Sequence, residues 1–225
     1  MKNIYIVRHG ETDWNKEGKI QGAEADIPLN NVGKEQAKKL ALYVKNYRMQ
    51  KHNIDCIWTS PLSRAKETAE IIKQDIMIES LIVYNELVET GMGKLSGLNK
   101  TDELLKLWDN CKRNNKYLSI EKDEEMIYRM KEANNMLNIG IENHELIVNR
   151  CAKIIKEIKA SIYNNIIIVT HSGFINVLLS YIYNIPESII KGGGNCSISY
   201  HQYDSSIDRF KMISGQNNHF FDNHF

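Results

Sequence analysis

The sequence predicts an α/β sandwich built on a mostly parallel sheet. Two observations carry this. Short, near-continuous apolar runs occur at Ile4-Tyr5-Ile6-Val7, Ile54–Thr59 and Ile166–Thr170, the length and composition of strands buried on both faces. Between them lie stretches with apolar residues at helical spacing, and alternation of the two kinds implies parallel strands joined by crossover helices.

Asn3–Val7 reads as the first strand, and a polar, glycine-containing stretch follows from Gly10 to Asn31. Ala37, Leu40, Ala41 and Val44 then recur with helical period, so residues 32–48 form an amphipathic helix. After the second strand, Ser60-Pro61 has the form of a helix start, with serine as cap and proline in the first turn. That helix runs to about Lys73, and Ile76–Tyr84 supplies a third, less regular strand. From about 99 to 140 there are two helical patterns and no strand. Leu104, Leu107 and Trp108 mark one; Met126, Met130, Ala133 and Leu137 mark the other. This stretch reads as a helical lid inserted in one domain spanning 1–225. A helix carrying Ile147, Cys151, Ile154, Ile155 and Ile158 leads into the strand Ile166–Thr170. The next helix, Ser172–Tyr183, is ended by Asn184 and Pro186. Ile198–Tyr203 and Ile207–Ile213 are closing strands, and Gln216–Phe225 shows no periodicity.

The 225 residues are 42% hydrophobic and 25% charged, an ordinary globular composition. A net charge of +1 provides no global basic field to attract nucleic acid or an anionic membrane. No apolar run is long enough to span a bilayer, and the N-terminus lacks a signal-peptide pattern. Cys56, Cys111, Cys151 and Cys196 are widely separated, which is neither a disulfide framework nor a zinc-ligand spacing. A cytoplasmic location is expected.

Chemistry-bearing residues follow three strands. Arg8-His9-Gly10 follows the first, Ser60 and Arg64 the second, and His171-Ser172-Gly173 the strand ending at Thr170. Open α/β sheets bind ligands at the carboxyl ends of their strands, so two histidines and two arginines are expected to converge in one crevice. Arginine forks suit phosphate oxygens. Helix N-termini at Pro61 and Ser172 would aim N–H groups at the same anion. A neutral imidazole can attack phosphorus and become a phosphohistidine, and a second histidine would stabilise the charge in transfer. Phosphoryl transfer needs chiefly such positioning and electrostatics. A lone strand-end histidine is usually structural, but that reading must account for both histidines and both arginines together. A zinc site with Asp13 or Glu89 as third ligand is the sharper rival. Two nearby arginines would repel the cation, and no His-Glu-x-x-His pattern is present.

The segment Arg8-His9-Gly10-Glu11-Thr12-Asp13-Trp14-Asn15 resembles the signature of the histidine phosphatase superfamily, the phosphoglycerate-mutase-like proteins. Further segments match in order: Gln21-Gly22, Asp26-Ile27-Pro28-Leu29 with Gly33, Thr59–Ala65, Leu87-Val88-Glu89 with Gly93–Gly97, Val169–Gly173, and the stretch containing Asn195. The resemblance is weakest over 101–140. It implies a three-layer α/β/α sandwich and a metal-independent, cofactor-free phosphomonoesterase acting on a small phosphorylated metabolite. It implies His9 as nucleophile, Arg8, Arg64 and His171 as the phosphate pocket, and Glu89 as proton donor. Asn15, Gln21, Gly22 and Ser172 are the implied substrate-binding residues. Glu86, three residues from Glu89, is the competing carboxylate; the register with Gly93 and Gly97 favours Glu89.

The superfamily holds mutases as well as phosphatases. Gly97-Leu98-Asn99-Lys100 resembles the mutase form, although Lys100 reads equally as a solvated lid residue. Elsewhere the mutase pattern fails. Thr90-Gly91-Met92 stands where a mutase has Arg-His-Tyr, and Trp108 is followed by Asp109-Asn110 where a mutase has tandem arginines. Without those cations a second acidic group is poorly held, which favours water as acceptor. Ser172-Gly173 also looks more like the phosphatase branch. A second anion contact could come from Lys94, Lys100, Lys106, Lys112 or Arg113, all of which also read as solvated surface. The alternatives are a 2,3-bisphosphoglycerate-dependent mutase and a non-catalytic phosphate-ligand-binding module. Oligomeric state is not legible.

Overall fold

The structure is a computed structural model that describes residues 1–48, 52–99, 101–102, 106, 131–132, 134–135, 137–190 and 192–217. Its frame is a six-stranded sheet in the order β3-β2-β4-β1-β5-β6. The strands are β1 (Lys2–Arg8), β2 (Cys56–Thr59), β3 (Leu81–Val83), β4 (Asn165–Thr170), β5 (Ile198–Asp204) and β6 (Arg209–Asn217). β1 to β4 are mutually parallel, and β5 and β6 add antiparallel at one edge. The parallel register sets Ile6 beside Ile168 and Trp58 beside the same residue.

The continuous apolar runs are explained by helices on both faces. Tyr5, Val7, Ile57, Ile167 and Val169 point to one side and pack on Ala37, Leu40, Ala65, Ala69 and Ile72. These belong to α2 (Asn31–Tyr43) and α3 (Ser63–Ile76). Ile4, Ile6, Trp58, Ile166 and Ile168 point to the other, against Cys151, Ile154, Ile158, Phe174 and Leu178. Those belong to α4 (His144–Ala160) and α5 (Ser172–Tyr183). Successive strand side chains alternate faces, so a strand covered twice has no polar positions to spare. The expected three-layer α/β/α sandwich is the observed architecture.

Caps fix the helix starts. Asn30 Oδ1 accepts from Gly33 N at 2.8 Å to open α2, and Asn143 Oδ1 accepts from Glu145 N at 3.0 Å to open α4. A one-turn helix, α1 (Asp13–Lys16), lies within the expected polar stretch and is closed by a Thr12–Asn15 capping box. α2 ends sooner than its sequence pattern and continues as a π-helical turn, Val44–Arg48.

Three expectations need correction. α3 starts at Ser63, with Leu62 and not Ser60 at the cap position. Ser60 Oγ lies 2.8 Å from His171 Nε2 and also accepts from Leu62 N at 3.3 Å, in a turn that precedes the helix. The N-terminus placed at Pro61 is therefore two residues early. α3 also runs on through Ile76 to a left-handed Met77, so β3 is only three residues long. Finally, Gln216 and Asn217 extend β6. The helical patterns at Leu104, Leu107 and Trp108, and at Met126, Met130 and Ala133, lie outside the described residues, as do Lys100, Asp109, Asn110, Cys111, Lys112, Arg113 and residues 218–225. Leu137 is helical, as expected. No described helix is long and apolar enough to cross a membrane. Cys56, Cys151 and Cys196 are buried and free.

Candidate active site

A pocket of about 180 Å3 opens at the carboxyl ends of the parallel strands. Arg8 and His9 reach it from the end of β1, Arg64 from the first turn of α3, Glu89 from the segment after β3, and Gly173 from the start of α5. Asn15, Lys19, Gln21 and Gly22 close its other side. Of the two histidines and two arginines expected to converge, His9, Arg8 and Arg64 line the pocket and His171 does not; Glu89, Asn15, Gln21 and Gly22, implied by the resemblance, line it too.

His9 is 3% exposed, and its Nδ1 lies 2.7 Å from the Gly10 carbonyl oxygen. A carbonyl can only accept, so Nδ1 carries the proton. In the neutral ring the free lone pair is therefore on Nε2. Burial, with Arg64 and Arg8 adding to it, holds the His9 pKa well below the usual imidazole value. Burial thus favours the neutral ring, with its free lone pair on Nε2. Its backbone is fixed on two sides: His9 N donates to Thr170 O at 3.0 Å, and Asn195 Nδ2 donates to His9 O at 3.1 Å.

His171 is fully buried behind His9, with ring centroids 5.1 Å apart. Arg64 Nε donates to His171 Nδ1 at 3.2 Å. A guanidinium cannot accept, so Nδ1 is bare and Nε2–H donates to Ser60 Oγ. Burial first, then His9 and Arg64, also hold this histidine neutral.

Arg64 is 0% exposed. Besides His171, it donates to Ala25 O at 2.7 Å and Gly22 O at 2.9 Å. Three of its five N–H bonds are spent on the protein, which locks the plane and leaves two for a ligand. Burial pulls its pKa down to about 10, with Glu89 opposing, so it stays charged at neutral pH. Arg8 donates to Gly193 O at 2.9 Å, and its buried Nε has no partner among the described residues. Buried polar groups are normally satisfied, so such a donor fits an anion-binding site. Gln21 Oε1 is likewise buried without a described partner. Asn15 Oδ1 accepts from Thr12 and Asn195, which leaves its Nδ2 edge to donate. Gly22 has φ +68°, and a Cβ there would lie 2.8 Å from Met92 Cβ, so the loop closing this side requires glycine.

Glu89 faces the N-terminus of α5. Its Oε1 accepts from Thr90 N at 2.8 Å and Phe174 N at 2.9 Å, and its Oε2 from Gly173 N at 3.2 Å. Glu86 lies outside the pocket lining and lends its carbonyl to Arg150. Ser172 also falls outside the lining: its Oγ lies beside Gly192, and Gly173 occupies the place expected for it. Lys94 and Lys106 are exposed and line no part of this pocket. Asp13, the other ligand considered for a metal, is exposed on α1. Among the described residues no three His, Cys, Asp or Glu side chains gather as a metal site.

Two positioning elements had no sequence signal. Arg150 Nη1 donates to Glu86 O and Val88 O, each at 2.8 Å, and its Nε and Nη2 grip Glu142 at 3.0 and 2.8 Å. Glu142 in turn accepts from Gly91 N at 3.0 Å. The backbone on both sides of Glu89 is clamped in this way. In the sequence, Arg150 is an unremarkable polar position on an amphipathic helix.

The parallel sheet with its pocket at the carboxyl ends of the strands is the phosphoglycerate-mutase-like fold. The chain belongs to the histidine phosphatase superfamily (branch 1), whose family model matches residues 4–214. It is 34% identical over 148 residues to the uncharacterized phosphatase PhoE of Bacillus subtilis, covering 66% of this chain and 70% of the relative. It is 32% identical over 213 residues to the 2,3-bisphosphoglycerate-dependent phosphoglycerate mutase of Buchnera aphidicola, covering 84% and 87%. Among solved structures it resembles Bacillus stearothermophilus YhfR, with TM-score 0.74, 21% identity, and 98% and 100% of the two chains covered. A mycobacterial glucosyl-3-phosphoglycerate phosphatase matches with TM-score 0.73 and 20% identity, covering 97% and 100%. At those identities the structural matches establish the fold.

Proposed function

We propose that the protein is a metal-independent phosphomonoesterase that works through a phosphohistidine at His9. The observation that carries this is the tautomer of His9, which leaves Nε2 bare beside the buried Arg64 and the partly buried Arg8. Arg8 and Arg64, with Asn15, hold the phosphoryl oxygens and offset the charge that spreads over them in transfer. His9 Nε2 forms the bond to phosphorus as the ester P–O bond breaks. Glu89, which must carry a proton at this step, gives it to the departing alkoxide. Water then attacks the phosphohistidine, losing its proton to Glu89, and the P–N bond breaks to release inorganic phosphate. His171 lies behind the nucleophile, where exchanging its Ser60 bond for a phosphoryl oxygen would stabilise the transferred group.

A mutase is the second reading, favoured by the identity to the Buchnera enzyme. A mutase must retain a second acidic group while the ligand reorients. The pocket mouth is lined instead by Thr90, Met92 and Gly173. Its third cation, Lys19, is paired with Glu17 at 2.8 Å. Water is the better acceptor at such a site.

The test is a panel of phosphate monoesters assayed in EDTA, including 3-phosphoglycerate with and without 2,3-bisphosphoglycerate. Inorganic phosphate release is expected. Conversion to 2-phosphoglycerate with little phosphate release would establish the mutase reading, and ligand binding with no turnover would leave a binding module.

A further inference from the structure

Close packing demands glycine beside the nucleophile. A Cβ at Gly10 would lie 2.6 Å from the Gly33 carbonyl oxygen in the first turn of α2, and a Cβ at Gly33 would collide with the Glu11 carbonyl. Glycine, however, leaves its own backbone dihedrals free. The Gly10 carbonyl oxygen must nonetheless face His9 Nδ1 to keep the proton there and the lone pair on Nε2. Its orientation has to be imposed from outside the loop. We propose that Thr68 and Gln36, neither of which lines the phosphate pocket, are positioning residues that fix the two peptides flanking Gly10 and so set the tautomer of His9. The link from that tautomer to catalysis rests on the phosphatase reading above.

Thr68 stands one turn beyond Arg64 on α3 and is fully buried. Its Oγ1 donates to Arg64 O at 2.7 Å, a common habit of helical threonines. That uses its only hydrogen, so it accepts from Gly10 N at 3.0 Å. The other end of the same peptide, His9 O, accepts from Cys196 N and Asn195 Nδ2, each at 3.1 Å. The His9–Gly10 peptide is thus held at both ends.

The next peptide joins Gly10 to Glu11. Glu11 N donates to Gln36 Oε1, from α2, at 2.9 Å. The N–H and C=O of a trans peptide point opposite ways, so holding Glu11 N on Gln36 turns Gly10 O away from it, onto the imidazole at 2.7 Å. Removing the Thr68 oxygen would leave the Gly10 amide buried without its acceptor. The peptide is then driven to rotate, which takes the carbonyl off Nδ1 and lets the ring proton move to Nε2, the atom that must attack phosphorus.

The experiment reads the tautomer and the rate separately. Long-range 1H–15N spectra of ligand-free, 15N-histidine-labelled protein near neutral pH report which ring nitrogen carries the proton, with His9 assigned against His9→Gln. The parent should carry it on Nδ1. Thr68→Val keeps the side-chain shape and removes the oxygen. Its His9 signals should move toward the other tautomer or to an average of the two. The first-turnover rate of p-nitrophenol release at saturating p-nitrophenyl phosphate should fall about tenfold or more, while the half-saturating concentration changes less than about threefold. Thr68→Ser should restore both readings. Gln36→Met, at a half-buried position, should shift the tautomer in the same direction through the other peptide. A Thr68→Val protein that is less stable but keeps the parent's tautomer and rate overturns the proposal, as does a lost rate with an unmoved tautomer. If Thr68→Val does not fold, the Gln36→Met spectrum decides: a shifted His9 upholds the proposal and an unshifted one overturns it. A tautomer that shifts in the variants while the parent turns over no ester upholds the positioning role and overturns the phosphatase reading alone.

Discussion

Glu89 caps the helix that carries Phe174: the Phe174 amide donates to Glu89 Oε1 at 2.9 Å, and Gly173 beside it donates to Oε2 at 3.2 Å. The carboxylate expected to move protons is therefore placed by the first turn of α5, whose positive end suits an acidic partner. The same turn follows directly on His171, so one strand-to-helix junction sets the geometry of both groups.

Gly173→Ala tests that placement. A Cβ at this position would lie 2.6 Å from Glu89 Oε1, the end of a side chain that can swing away. The expected result is a loss of about 10²-fold in kcat, the scale associated with small misplacement of a reacting group. Thermal stability should change little. Undiminished kcat would show that the Glu89 position is immaterial.

Arg150 holds the Glu89 segment by two carbonyls and by Glu142, and its guanidinium lies 5.0 Å from the Phe174 ring centroid. Arg150→Met leaves Glu142 half-buried and unpaired. The expected cost is on the order of 3 kcal/mol in denaturant unfolding, together with a fall in kcat. Arg150→Lys should recover part of the stability but little of the kcat, because an ammonium cannot grip the Glu142 carboxylate and both carbonyls in one plane. Full recovery of kcat by lysine would contradict a role in positioning.

Acid should weaken the fold through its buried histidines. His201, bonded to Tyr183 Oη at 2.7 Å and Ser199 Oγ at 2.8 Å, has its pKa pushed down to about 4 by burial. Unfolded, it titrates near 6.5, so between these values the unfolded chain binds the proton and the folded chain does not. Stability is complete above about pH 6.5 and declines as pH falls toward 4, by about 3 kcal/mol for this residue. His9 and His171 act in the same direction. Denaturation curves at pH 7 and 4.5 should lie closer together for His201→Gln than for the parent. Parallel losses in the two proteins would rule out this residue as a source.

These relationships were unequally visible in the sequence. α5 was legible to the residue, because its apolar face is continuous and Asn184 takes the left-handed conformation that stops it. Strands covered on both faces announce themselves as unbroken apolar runs, and strand-end positions sufficed to gather His9, Arg8 and Arg64. The start of α3 is not legible locally: Ser60 Oγ serves both the Leu62 amide and His171, which lies far away in the chain. Arg150 and Glu142 carry no signal, since each acts across elements and neither belongs to a local pattern. The sheet order was equally hidden, because β4 inserts between β1 and β2 through contacts that periodicity does not encode.

The most direct test of the account is to trap the phosphorylated enzyme. Glu89→Gln, quenched at alkaline pH during turnover of p-nitrophenyl phosphate, should accumulate a phosphoryl group, because this leaving group departs without a proton while hydrolysis of the intermediate still needs a base. Peptide mapping should place an acid-labile adduct on His9, and His9→Ala should show neither adduct nor turnover. Phosphate release with no adduct at His9, or substantial turnover in His9→Ala, would contradict the phosphohistidine mechanism.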